Sequence, residues 1–119
     1  MTRAAALGLL ALIALSAAAQ AAPPGAARGR MLAVEACAAC HKVTAQQRQP
    51  APVADPDTGE KILAPPFTAI AKRYAGNADG LRAFITLPSH PMREQTFLPR
   101  DLRDIVAYIR SLPRHPRRP

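Results

Sequence analysis

Cys37-Ala38-Ala39-Cys40-His41 is the stretch on which the reading of this chain turns. Two cysteines three positions apart, followed directly by histidine, meet the requirements of covalent haem attachment. The thiolates add across the vinyl groups of one porphyrin, and the adjacent imidazole falls beneath the ring, where its Nε2 can bind the iron. Other chemistries use the same residue types. A thioredoxin-like redox pair wants a preceding strand and a βαβ context, whereas the residues before Cys37 are helix formers. Tetrahedral structural zinc needs further ligands, and beyond Cys37, Cys40 and His41 the chain offers only His90 and His115. A structural disulfide is the third use of such a pair. The adjoining histidine and an export-like segment upstream favour haem.

That upstream segment, residues 1–21, has the layout of a signal peptide. Arg3 gives a positive start, Ala4 to Ala19 an apolar run, and Ala19-Gln20-Ala21 a small-x-small cleavage site. The alternative is an uncleaved membrane anchor, for which the run is slightly short of the roughly 20 residues that span a bilayer. Export to the periplasm agrees with haem attachment outside the cytoplasm, where surroundings are oxidising. Residues 22–27, with Pro23, Pro24 and Gly25, read as a linker, 28–113 as one small domain, and 114–119 as a disordered basic tail.

A domain of this size buries little core from its own side chains. Phe67, Phe84, Phe97, Tyr74 and Tyr108 are the only aromatics and Trp is absent, so an apolar macrocycle would supply missing bulk. The chain carries 16 Lys plus Arg against 8 Asp plus Glu. Such a surface suits nucleic acid, an anionic membrane or an acidic protein. For an exported haem protein the expected partner is an acidic redox protein and not nucleic acid, with membrane association only through an uncleaved leader. No carboxylate pair, nucleophile triad or phosphate loop suggests bond-making catalysis, so the chain is not expected to be an enzyme.

The periodicity predicts short helices over about Arg28 to Cys37, Phe67 to Tyr74, and Asn77 or Ala78 to Pro88. The clearest runs from about Arg100 to Leu112, with Leu102, Ile105, Val106, Ile109 and Leu112 forming one apolar stripe. Asp101 and Asp104 on this helix read as a solvated face. Prolines exclude a continuous helix over Val43 to Pro66, and Asp55-Pro56-Asp57-Thr58-Gly59 has the turn chemistry of a small hairpin flanked by Val53 and Ile62. Pro88 to Pro99 should be an extended loop.

In this order, Gly29, the Cys37-Ala38-Ala39-Cys40-His41 motif, Ala64-Pro65-Pro66-Phe67, a late Met92 and the Val106-Ala107-Tyr108-Ile109 helix resemble the class I c-type cytochromes. The likeness covers nearly all of the chain after the leader, and only the haem motif is sharply specific alone. It implies an all-α cytochrome c fold, three to five short helices around one haem c bound through Cys37 and Cys40, and one-electron transfer by a monomer. It further implies that Gly29 and Tyr108 meet where the first and last helices cross. Pro65 would offer its carbonyl to the His41 ring and Phe67 would pack at the haem edge, although Ala64 stands where the family more often has Gly.

The second axial ligand separates a carrier from a protein that binds small molecules at the iron. Met1 leaves with the leader, and Met31 is too near Cys37 in sequence to cross to the opposite face. Met92, in a proline-rich loop, matches the family's distal methionine, and its soft thioether suits iron. His90, two residues earlier, is the competing ligand. Ile70, Phe84, Leu87 and Leu98 are further pocket candidates, with Arg73 and Tyr74 available to a propionate. Two other functions remain open, a haem subunit of a dehydrogenase complex and a ligand-binding or peroxidatic protein with a labile distal site.

Overall fold

Pro23-Pro24-Gly25-Ala26 closes a tight turn in which the Ala26 N–H donates to the Pro23 carbonyl at 3.0 Å. Gly25 adopts φ +85°, which, after Pro24, is the pattern of a type II turn. The first helix therefore begins at once, and α1 spans Ala26–Cys37. The expected 22–27 linker is thus shorter at its C-terminal end, because Ala26 is already helical and only 3% exposed. The computed structural model describes residues 22–89 and 91–114; the expected leader, His90 and residues 115–119 lie outside that set.

After the haem motif the chain runs irregularly to a minimal antiparallel pair, β1 (Val53–Ala54) with β2 (Lys61–Ile62). Val53 pairs with Ile62, so the hairpin has the expected flanks. Asp55 Oδ1 makes its turn, accepting the N–H groups of Asp57 and Thr58, both at 2.9 Å. Helix α2 covers Phe67–Arg73 and α3 covers Ala78–Thr86. Asn77 caps α3 through its side-chain oxygen, which accepts from the Gly80 N–H at 2.8 Å. Helix α4 spans Pro99–Ser111 with proline in its first turn, where the missing N–H costs nothing. Among the described residues the fold is thus four short helices and one small hairpin, an all-α architecture.

Helix α4 is the hub, touching α1, α2 and α3. Its buried face includes Ile105, Val106 and Ile109 from the apolar stripe and adds Asp104 and Tyr108. The α1/α4 crossing is set at Gly29, where any Cβ would overlap the Asp104 carbonyl and crowd the Ile105 nitrogen. Only a residue without a side chain permits that approach. The nearest neighbours of Gly29 are thus Asp104 and Ile105, one turn before Tyr108.

Asp104 corrects the reading of a solvated face. It is 6% exposed, and its Oδ2 accepts from Arg28 at 2.7 Å, while Asp101 Oδ1 accepts from the same guanidinium at 2.5 Å. The two carboxylates raise the Arg28 pKa through these hydrogen bonds, Asp104 first. One fork on α1 therefore ties together two successive turns of α4.

Candidate functional site

Helix α1 ends at Cys37, and the chain folds back so that the Cys40 and His41 N–H groups both donate to the Cys37 carbonyl, at 3.2 and 2.9 Å. This turn brings both cysteines and the histidine to one corner. Both thiols are free and partly buried. Burial, and secondarily Cys40, pushes the Cys37 thiol up to about 11, so at neutral pH it keeps its proton.

The His41 ring is buried, 8% exposed, and its Nδ1 lies 2.8 Å from the Pro65 carbonyl oxygen. A carbonyl only accepts, so Nδ1 donates, and in the neutral ring this leaves the lone pair on Nε2. This is how a metal-binding imidazole is fixed from its far side. Two residues on, the Phe67 N–H donates to the Lys42 carbonyl at 3.0 Å, so the segment leading into α2 holds both the His41 ring and the backbone just after it. Phe67, 3% exposed, sets its ring 5.7 Å from the His41 ring and 6.3 Å from that of Tyr108. Ala64 causes no difficulty here, since no non-glycine among the described residues has a positive φ.

Cys37, Cys40, His41, Pro65 and Phe67 thus stand together. Met92 lies in the loop after α3, where its N–H donates to the Ser89 carbonyl at 3.2 Å. It lines a cleft of about 370 Å³ whose walls are the hairpin residues Val53, Ala54 and Pro56 and the loop residues Pro88, Pro91, Arg93 and Glu94. A smaller cleft of about 110 Å³ involves Pro65, Ile70, Arg73, Tyr74 and Phe84. There the Arg73 guanidinium sits 5.7 Å from the centre of the Tyr74 ring, which in turn lies 5.8 Å from Phe84. Leu87 and Leu98, expected as pocket residues, are 76% and 70% exposed. No group of three or more His, Cys, Asp or Glu converges as a metal cluster among the described residues.

Two side chains shape the site through contacts that the sequence does not announce. Tyr108, expected at the helix crossing, is 6% exposed and donates its hydroxyl to the Val43 carbonyl at 2.5 Å. Burial raises its pKa, with Arg30 opposing the shift. Gln47 sends its side-chain amide back to the motif, to Ala38, His41 and Val43. No local signal marks it, because it stands in the polar run Gln46-Gln47-Arg48-Gln49.

Paired thiols beside an imidazole held at Nδ1, on a small helical frame, define the class of domain that takes a covalently attached haem. The family model described as Cytochrome c matches residues 26–113, so the chain belongs to the cytochrome c family. Membership implies covalently bound haem c and electron transfer. No curated protein and no solved structure matches the chain.

Proposed function

We propose that this protein is an exported, monomeric, mono-haem one-electron carrier, not an enzyme by itself. Residues 1–21 serve as its leader, the periplasm is its compartment, and it moves electrons from a reductase or dehydrogenase to an oxidase or other acceptor. The observation that carries this reading is the 2.8 Å contact between His41 Nδ1 and the Pro65 carbonyl, which leaves Nε2 available for iron in the residue that directly follows Cys40. The residues present fit the group. Cys37 and Cys40 would hold the haem by thioethers, His41 would bind its iron through Nε2, and Met92, in the loop after α3, would supply the second protein ligand.

When bound, the haem supplies the ferric/ferrous couple. The chain's own residues hold the ligand field constant between the two states. Pro65 fixes the ring and proton of His41, and Phe67 excludes water from its flank. The Met92 thioether would favour ferrous iron and so raise the potential. Lys42, Lys72 and Arg93 would draw acidic partners, with association slowing as salt rises.

Intact mass and a visible spectrum of the protein matured in a periplasm test the reading. We expect one tetrapyrrole per chain and a low-spin spectrum with the methionine-to-iron charge-transfer band. Met92→Ala should abolish that band and open the ferrous form to rapid carbon monoxide binding. A mass of polypeptide alone would end the haem reading. An unchanged Met92→Ala spectrum would move the sixth ligand to His90.

A further inference from the structure

We infer that Gln47 is the positioning residue of the haem-attachment turn, a role that deepens the haem-carrier reading and rests on it. One side-chain amide meets two backbone carbonyls of the motif and one backbone N–H just beyond it. Gln47 Nε2 donates to the Ala38 carbonyl at 2.8 Å and to the His41 carbonyl at 2.9 Å. Its Oε1 accepts from the Val43 N–H at 2.9 Å. Two acceptors on one end and a donor on the other leave no freedom in how the amide is turned. Gln47 is itself held, its own N–H donating to Thr44 Oγ1 at 3.3 Å.

The effect is to staple a turn that has little regular structure of its own. Ala38 lies between the two cysteines, His41 is the ligand, and Val43 follows it. The fifth residue of the motif is therefore gripped twice, by Pro65 on its ring and by Gln47 on its backbone. Those two grips come from residues 24 and 6 positions further along the chain and act on different atoms. With the carbonyl held, the Cα–Cβ bond of His41 has a fixed direction, and the Pro65 contact then sets only the ring's rotation. Pro65 alone would fix the ring but not the backbone that carries it. No residue type other than glutamine offers two donors and an acceptor at this reach.

The test uses the haem-loaded full chain with Gln47→Leu, Gln47→Glu and the control Arg28→Leu, which breaks the helix-crossing ion pair away from the turn. Leu removes all three contacts. Glu keeps the acceptor for Val43 and turns a carboxylate toward two carbonyls. In both Gln47 variants the Cys40 and His41 amides should exchange roughly tenfold faster, the scale on which one buried hydrogen bond acts, and the Val43 amide should do so in Gln47→Leu alone. The His41 ring resonances should shift, and the one-electron reduction equilibrium should move by about twofold or more. Arg28→Leu should lower global stability and leave the ring resonances and potential as in the wild type. If either Gln47 variant keeps wild-type ring resonances and potential, or if Arg28→Leu disturbs them equally, Gln47 is an ordinary loop residue. Failure of the wild type to carry haem would instead remove the underlying carrier reading.

Discussion

Gly29 shows how a single missing side chain sets a helix crossing. Its hydrogen points at the backbone of Asp104, so a methyl there would have to displace a carbonyl and not a flexible side-chain tip. Gly29→Ala should therefore destabilise the domain by on the order of 2 kcal/mol or more, since overpacking against backbone cannot relax locally. Chemical denaturation of the loaded protein checks this, and a midpoint equal to that of the wild type would place the crossing elsewhere. Tyr108 contributes at the same scale through its hydroxyl. Its folded pKa is raised by burial above the ordinary tyrosine value of 10.0. The unfolded phenol thus releases its proton first, and the stability Tyr108 contributes is full below about pH 10 and is lost as pH climbs from there through the folded value. Tyr108→Phe should flatten that alkaline loss. At neutral pH it should cost about 1–3 kcal/mol, because the Val43 carbonyl is left buried without a donor. Urea melts at neutral pH and above pH 10 separate the two effects.

At the scale of elements, the legible features were those with local causes. The α4 stripe, the Asn77 cap of α3 and the Asp55 turn of the hairpin each depend on residues within a few positions, and each lies where the sequence puts it. Helix α1 begins earlier than its sequence suggests because Pro23-Pro24-Gly25 has the composition of a linker and the geometry of a helix-launching turn. Asp104 looked solvated because its partner, Arg28, lies 76 positions away, and no local pattern announces a contact of that span. The site divides along the same line. Cys37, Cys40 and His41 announce themselves by spacing, and Pro65 and Phe67 through likeness to a family. Gln47 and the Tyr108 hydroxyl became visible only when distant backbone carbonyls had coordinates. What positions a ligand from afar is not written beside it.

Over the whole molecule, what matters is how little apolar bulk the chain can bury unaided. The largest side chains with almost no exposure are Leu81, Ile105, Ile109 and Val43, all aliphatic and modest in size. Among the buried hydrophobics of the described residues the only aromatics are Phe67 and Tyr108. Leu63, Leu87 and Leu98 stand 55%, 76% and 70% exposed, an apolar investment that a macrocycle lying against the same elements would repay by covering it. A ligand that binds only the folded state stabilises it in proportion to its affinity, and a covalent one cannot dissociate from either state but still gains its contacts on folding alone. Replacing both attachment points, Cys37→Ala with Cys40→Ala, should therefore give a chain with weak helical circular dichroism and a broad thermal transition well below that of the loaded protein. Arg28, Asp101 and Asp104 would still tie α1 to α4 in that chain, so residual helix should concentrate in those two elements and be the part most sensitive to salt. A haem-free variant that melted cooperatively within a few degrees of the loaded protein would show that the helices alone suffice as a core.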